Sequence, residues 1–167
     1  MSHLPKSFLS SLKGLPGYDA AAFEAAHADP GAVTSIRVNP GKTGSSIPSG
    51  ANRVPWSSWG YYLQERPYFT FDPLFHAGAY YVQEASSMFL EQALRQTADL
   101  AQPLRVLDLC AAPGGKSTLL QSALPAGSLL VSNEVIKSRV GVLQENMSKW
   151  GALASVITSN DARELAR

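Results

Sequence analysis

Short apolar runs alternate with helical patterns along the second half of the chain, from Pro103 onward. The runs have the length and the β-branched content of buried strands, and the stretches between them repeat apolar residues at helical spacing. The order is strand, helix, strand, helix, strand, in the segments LRVLDL, KSTLLQSAL, SLLVSNE, VIKSRVGVLQENMSKWG and ASVITSND. This alternation predicts a parallel α/β sheet, and such sheets bind ligands at the carboxyl ends of their strands.

The first part of the chain has a less regular pattern and is rich in Pro, Gly and aromatic residues. An alanine-rich segment predicts a short helix from near Asp19 to Pro30-Gly31, and Ala32 to Val38 predict a strand. A second strand is predicted in GYYLQER, and QEASSMFLEQALRQTADL has helical spacing. We therefore expect a small α+β domain over residues 1–80 and the parallel α/β domain over residues 81–167.

Composition narrows the class of protein but not its ligand. Hydrophobic residues make up 45% of the chain and charged residues 16%, which indicates a packed globular protein. The formal net charge of +1 shows no basic excess, although a local basic groove remains compatible with it. The single cysteine excludes an internal disulfide and favours a reducing, cytoplasmic setting. No secretory signal, membrane span or metal-ligand spacing is recognisable, so neither membrane nor metal is expected.

The stretch VLDLCAAPGGKS, residues 106–117, resembles a phosphate-binding loop only at its end. A phosphate loop needs a glycine five positions before Gly115, and Cys110 occupies that position. Pro113 also removes an amide that such a loop would use. The dinucleotide pattern fails as well, because Gly114 and Gly115 are adjacent and no third glycine follows.

Acidic residues at the strand ends point instead to a nucleoside cofactor without a pyrophosphate. Glu134 lies nineteen residues beyond Gly115 (134 − 115), a spacing that suits a hydrogen bond to ribose hydroxyls. The third strand ends at Asn160-Asp161, where a side chain reaches the adenine edge. S-adenosylmethionine fits this description, and small residues in the loop would let the backbone approach it closely. The alternative is that Asp108, Glu134 and Asp161 only cap turns or helices.

At these residues the sequence resembles the Sun family of RNA cytosine-5 methyltransferases. The resemblance rests on DLCAAPGGKS followed by NE and then ND, and it extends upstream to SIRVNPGKT and YYVQEASS. Bacterial members that act on small-subunit ribosomal RNA are most similar. The fold that this implies is the first part of a Rossmann-like S-adenosylmethionine-dependent methyltransferase sheet, preceded by an RNA-binding-type α+β domain.

The resemblance also implies roles for individual residues. The loop would surround the methionine part of the cofactor, Glu134 would bind the ribose, Asp161 would contact the adenine, and Lys116 would lie beside the reactive centre. The implied S-adenosylmethionine-binding residues are Cys110, Ala111, Ala112, Pro113, Gly114, Gly115, Lys116, Glu134 and Asp161. The implied partner is RNA, small-subunit ribosomal RNA in particular.

In this family the nucleophile is a cysteine in a Pro-Cys motif after a later strand, assisted by a cysteine in a Thr-Cys motif. The thiolate adds to C6 of cytosine, C5 takes the methyl group, and elimination restores the ring. Neither motif occurs in this sequence. The resemblance thus implies that the chain stops before the catalytic cysteines and is inactive alone. Cys110 is interpreted as a packed small residue of the cofactor loop, because no activating group is visible.

Three functions therefore stay open: the amino-terminal part of an RNA cytosine methyltransferase, a non-catalytic RNA- or cofactor-binding module of the same ancestry, and a methyltransferase for a small molecule or a protein. A chain that stops at Arg167 would leave the LRVLDL strand with an unpaired edge, so we expect poor stability or self-association.

Arg37 is expected to be a phosphate contact or ordinary surface charge. The aromatics Trp56, Trp59, Tyr61 and Tyr62 are expected mostly in the core of the small domain, the alternative being stacking on RNA bases.

Overall fold

A computed structural model of the protein describes residues 4–28, 33–42, 47–151 and 154–166. Contacts within the chain define two compact units, Met1–Val33 and Thr34–Arg167. The predicted helix end at Pro30-Gly31 and the predicted strand start at Ala32 lie outside the described residues. Both sheets lie in the second unit, and the division expected near residue 80 stays a prediction.

The first unit contains two short helices, α1 (Lys6–Leu12) and α2 (Ala20–Ala28). The side chain of Asp19 accepts a hydrogen bond from the backbone of Ala22 at 3.0 Å, which satisfies an otherwise unpaired N–H at the start of α2. This agrees with the helix start predicted near Asp19. The ring of Phe23 packs against Phe8 and Tyr18, with centroid separations of 6.2 and 5.6 Å.

The second unit begins with an antiparallel sheet in the order β2-β3-β1-β4. Its strands are β1 (Thr34–Val38), β2 (Asn52–Arg53), β3 (Gly60–Leu63) and β4 (Tyr80–Val82), and the short helix α3 (Pro73–His76) lies between β3 and β4. The predicted helix in residues 83–100 is shorter than its pattern suggests, because it starts as a 3-10 turn at Ser86–Phe89 and becomes α4 only at Leu90–Thr97.

The predicted parallel sheet is present in the order β5-β6-β7, and its strands are β5 (Arg105–Asp108), β6 (Leu129–Asn133) and β7 (Ser155–Thr158). Helix α5 (Gly115–Ala123) connects β5 to β6, α6 (Lys137–Trp150) connects β6 to β7, and α7 (Ala162–Leu165) follows β7. Gly151 has a φ of 85° at the end of α6, which explains why the helix ends at the predicted glycine.

One face of the parallel sheet forms the core of this part of the molecule. Each strand contributes one apolar side chain to that face, and helices α4, α5 and α6 cover it. The residues that meet there include Val106, Leu130, Ile157, Leu94, Leu120, Leu143 and Met147. Burial of each large apolar side chain contributes roughly 1.5–3 kcal/mol, so these helices are held to the sheet mainly by this face.

Most of the aromatic side chains expected in the core are buried or partly buried, but Trp59 is 39% exposed. Tyr61 is buried, and the Trp56 indole packs on a core cluster and donates a hydrogen bond to the Ala85 carbonyl at 2.6 Å, as expected. The most exposed rings are Tyr68 and Phe71, at 83% and 84%. Their centroids lie 6.3 Å apart, so they form one exposed aromatic patch that the sequence pattern did not indicate.

The opposite face of the parallel sheet carries a row of exposed apolar side chains. Leu107, Val131 and Val156 are cross-strand neighbours, and Leu107 and Val156 are each 47% exposed. Among the described strands β5 pairs only with β6, so it forms an edge of the sheet. An unpaired edge beside an exposed apolar row favours pairing with another chain.

No helix in the described ranges is long and apolar enough to cross a membrane.

We predict that the 167-residue chain self-associates through this sheet. Replacing Leu107 and Val156 by Lys should shift it toward monomer, because a charge on each strand opposes docking of a second apolar face. Sedimentation velocity over a 100-fold range of concentration measures the effect. Val142→Lys on α6, where the native side chain is similarly exposed, is the control and should leave association unchanged. A concentration-independent monomer with cooperative unfolding would contradict the prediction.

Candidate cofactor-binding site

The three parallel strands end at the same edge of the sheet, and Asn133 ties these ends together. Its Nδ2 donates to the carbonyls of Leu109 at 3.2 Å and Asn160 at 3.0 Å. Its Oδ1 accepts from the Thr158 hydroxyl and the Asn160 amide, both at 2.9 Å. The side chain is buried and uses both its donor and its acceptor ends. Asn133 therefore sets the spacing of the loops that follow β5 and β7.

The loop between β5 and α5 turns sharply at Gly114. This residue has a φ of 110°, a conformation that favours glycine, and its amide donates to the Ala111 carbonyl at 2.7 Å. A Cβ on Gly115 would lie 3.4 Å from the ring of Tyr81, so the backbone there is already in close contact with its neighbours. The predicted close approach of this backbone to a cofactor stays a prediction.

Two side chains of α6 hold the loop from one side. Arg139 donates to the Ala112 carbonyl, and Asn146 donates to the Pro113 carbonyl at 2.7 Å. The two residues are seven positions apart and so lie on the same face of the helix. Sequence reasoning missed both of them. Their shared spacing was a signal, but nothing in the local pattern distinguished this polar face from one that only contacts solvent.

Glu134 is the predicted ribose ligand, and it is buried directly against the loop. Its Oε2 accepts from the Ala112 amide at 3.3 Å and lies 3.5 Å from Arg139, and its Oε1 accepts from the Ile136 amide at 3.0 Å. A carboxylate has about four acceptor positions, so these contacts do not use all of them. The structure thus brings Glu134 and the predicted loop into direct contact.

The other two strand-end acids mainly organise helix starts. Asp108 accepts a hydrogen bond from the hydroxyl of Ser117 at 2.7 Å, which ties the end of β5 to the first turn of α5. Asp161 caps α7 by accepting from the Arg163 amide at 2.9 Å. It follows β7 at the same sheet edge, next to Asn160, whose backbone Asn133 holds. Its proposed contact with adenine stays a prediction.

Three predicted loop residues are exposed: Cys110, Pro113 and Lys116. Lys116 is exposed, as a residue beside a reactive centre can be, whereas Ala111 and Ala112 are buried. Cys110 is also exposed, so its interpretation as a packed small residue is wrong. The reason is that the chain leaves β5 after Asp108, and the core on that side is filled by Ala111 and Ala112 instead.

Arg37 is neither a phosphate contact nor surface charge, because only 1% of it is exposed. It lies on β1, and its Nη2 donates to the Thr118 hydroxyl at 2.6 Å and to the Gly115 carbonyl at 3.3 Å. Burial lowers the pKa of its guanidinium to about 9, an effect that the charges of Tyr81 and Glu91 oppose, so it stays protonated at neutral pH. Neither local pattern nor charge indicated that this residue would reach α5.

These features fit a nucleoside cofactor that carries no pyrophosphate. A buried carboxylate faces a loop of small residues, and the loop is held in a fixed shape by side chains from outside it. In the described part of the chain, no cluster of three or more His, Cys, Asp or Glu side chains is arranged to hold a metal ion.

Solved structures share the fold of this chain. A methyltransferase homolog protein from Pyrococcus horikoshii superposes with a TM-score of 0.70 and 26% identity, over 98% of this chain and 59% of that one. NSun6 from Pyrococcus horikoshii, solved with SFG, gives a TM-score of 0.52 and 26% identity over 60% of this chain and 25% of that one. The fold is that of S-adenosylmethionine-dependent methyltransferases, which confirms the predicted fold class.

Family comparisons assign the chain more narrowly. Residues 4–85 match the N-terminal domain of 16S rRNA methyltransferase RsmF, and residues 96–167 match 16S rRNA methyltransferase RsmB/F. The ribosomal RNA small subunit methyltransferase F of Shewanella piezotolerans is 32% identical over 98% of this chain. The chain belongs to this RsmB/F family of methyltransferases, which confirms the resemblance to the Sun family. It spans about 37% of the length of the Shewanella protein.

We predict that Asn133→Ala lowers the free energy of unfolding by about 3 kcal/mol or more. The reason is that the buried Asn133 side chain loses four hydrogen bonds, each worth roughly 0.5–1.5 kcal/mol. Urea denaturation measures the change. Thr158→Val, which removes only one of the four hydrogen bonds of Asn133, is the control and should cost about 1 kcal/mol. Equal losses in the two variants would show that Asn133 does not join the strand ends.

Proposed function

We propose that this chain is the cofactor-binding part of an S-adenosylmethionine-dependent methyltransferase that acts at C5 of cytosine in small-subunit ribosomal RNA, in the cytoplasm. The observation that carries the proposal is the contact between the loop and the buried carboxylate of Glu134, where Oε2 accepts from the Ala112 amide. Membership in a family of 16S rRNA methyltransferases supports the choice of substrate class. It also counts against a methyltransferase for a small molecule or a protein.

S-adenosylmethionine would supply an electrophilic methyl group at this site. Residues 110–116 surround its methionine part, and their small side chains allow the backbone to approach it. Glu134 accepts hydrogen bonds from the ribose hydroxyls with the acceptor positions that Ala112 and Ile136 leave. Asp161 would contact the adenine, and Lys116, which is exposed, would lie beside the reactive centre.

RNA would be bound by residues 1–80, which we propose as a separate functional domain. Because the net charge of the chain is only +1, ring faces and local charges must contribute more than an overall basic surface. The exposed pair of Tyr68 and Phe71 supplies ring faces of the kind on which unpaired bases stack.

The thiolate that attacks cytosine would come from outside this chain. Cys110 is its only cysteine and lies in the loop assigned to the cofactor. A nucleophile in the cofactor loop would compete with the cofactor for space. The reaction instead needs the cytosine base to lie between the nucleophile and the cofactor. The family's Pro-Cys and Thr-Cys cysteines are therefore expected in the longer protein.

We predict that Glu134→Gln weakens S-adenosylmethionine binding by about 10-fold to 100-fold, as expected for loss of hydrogen bonds to a charged acceptor worth roughly 1.5–3 kcal/mol. Isothermal titration calorimetry measures the dissociation constant. Glu145→Gln on the exposed side of α6 makes the same change in charge and should leave the constant within twofold. Equal affinities of Glu134→Gln and wild type would exclude the ribose role.

We also predict that the 167-residue chain forms no 5-methylcytosine, whereas the longer protein does. Each is incubated with radiolabelled S-adenosylmethionine and small-subunit ribosomal RNA, and the nucleosides are separated afterwards. Product formed by the 167-residue chain and abolished by Cys110→Ala would show that Cys110 is the nucleophile. A longer protein that binds cofactor and RNA without product would favour the non-catalytic module.

A further inference from the structure

The guanidinium of Arg37 reaches from the antiparallel sheet to the helix that follows the cofactor loop. Its strand, β1, lies between β3 and β4, and its side chain crosses to the first two turns of α5. The guanidinium carbon also lies 4.5 Å from the centroid of the Trp150 ring on α6. One buried side chain of β1 therefore contacts both α5 and α6.

All five N–H groups of this guanidinium have an acceptor. Nε donates to the amide oxygen of Gln83 at 2.8 Å. Nη1 donates to the Thr118 carbonyl at 3.3 Å and the Ser122 hydroxyl at 3.4 Å. Nη2 donates to the Thr118 hydroxyl at 2.6 Å and the Gly115 carbonyl at 3.3 Å. Such complete pairing fixes the position of each acceptor relative to the others.

None of these five acceptors is a carboxylate, so no direct ion pair offsets the cost of burying the charge. Replacing a buried charge by an apolar side chain of similar volume is often neutral or stabilising. A cation at the first turn of a helix is also disfavoured by the helix dipole. Packing alone therefore does not account for an arginine at this position. The five hydrogen bonds that it makes to these acceptors do account for it.

Two of these acceptors also donate hydrogen bonds to the turn of the cofactor loop. The Thr118 hydroxyl, which accepts from Arg37, donates in turn to the Gly114 carbonyl at 2.8 Å. Gln83, which also accepts from Arg37, donates to the Gly115 carbonyl at 3.3 Å. Arg37 thus orients both groups that bind the carbonyls of the glycine pair, and it binds one of those carbonyls itself.

We infer that Arg37 is a positioning residue for the cofactor loop, which holds Gly114 and Gly115 in the shape that the cofactor meets before it binds. The inference rests on the proposed function, because it takes S-adenosylmethionine as the ligand of this loop. A loop held in advance has less conformational freedom to lose on binding, and this raises affinity without any direct contact to the ligand.

Two variants test this role. Arg37→Lys keeps the charge but replaces the planar five-donor fork by a single ammonium group, so it cannot reach all five acceptors. Thr118→Val removes one hydroxyl and changes the volume little. The control is Asn39→Ala, because Asn39 is a buried residue of the same segment that donates to the carbonyls of Gly78 and Trp150, both at 2.9 Å, and not to the loop.

For each variant, calorimetric titration gives the dissociation constant of S-adenosylmethionine, and an unfolding curve gives the midpoint of unfolding. We expect the dissociation constant to rise about 10-fold or more in Arg37→Lys and in Thr118→Val, and to stay within twofold in Asn39→Ala although its stability falls. The double variant Arg37→Lys with Thr118→Val should lose less than the product of the two single effects, since the two residues act through one hydrogen bond. If Arg37→Lys does not fold, Thr118→Val against Asn39→Ala decides the question.

Hydrogen exchange without cofactor supplies a local readout. Amides of residues 114–118 should exchange faster in Arg37→Lys than in wild type, with no such change in Asn39→Ala. Wild-type affinity in both loop variants, or an equal loss of affinity in the control, would overturn the inference while leaving the proposed function intact. Absence of binding by the wild-type chain would instead overturn the proposed function, and the inference with it.

Discussion

The loop at residues 110–116 has few side-chain atoms with which to fix its own shape, so its backbone groups depend on partners from elsewhere. Small residues there would let the proposed ligand approach the main chain closely. The same smallness leaves carbonyls and amides that neighbouring side chains must pair. Glu134 binds the Ala112 amide, Arg139 and Asn146 bind the next two carbonyls, and Arg37 organises the glycine pair. Much of the surrounding architecture can be understood as support for this one loop.

This constraint explains why the antiparallel and parallel sheets share contacts. The Arg37 side chain links β1 to α5, and Ser35 binds the Gln83 carbonyl through its hydroxyl at 2.6 Å, which aligns Gln83 for its own contact with Gly115. The segments SIRVN and YYVQ therefore act on the loop from a distance of many residues. Their presence together with CAAPGGK in one sequence has a physical basis, since each supplies part of the same hydrogen-bond network.

The parallel strands, the loop and the position of Glu134 could be predicted because they follow from local pattern. Apolar runs mark strands, a glycine pair marks a turn, and parallel strands end at one edge. The supporting residues could not, because their partners are distant in sequence: Arg37 meets Gln83, Thr118 and Ser122, which lie 46, 81 and 85 residues away. Cys110 was misjudged for a related reason, since local composition does not show which of several small residues turns inward.

The proposed S-adenosylmethionine site is the edge formed by residues 110–116 and Glu134. Titration of the isotopically labelled chain with S-adenosylhomocysteine, followed by backbone amide NMR, tests it most directly. We expect saturable shifts, with one dissociation constant, at the amides of Cys110, Ala111, Ala112, Gly114, Gly115, Lys116 and Glu134. The account would be contradicted by shifts confined to another concave region, such as the cleft of about 420 Å³ lined by Gln64, Arg66 and Phe69.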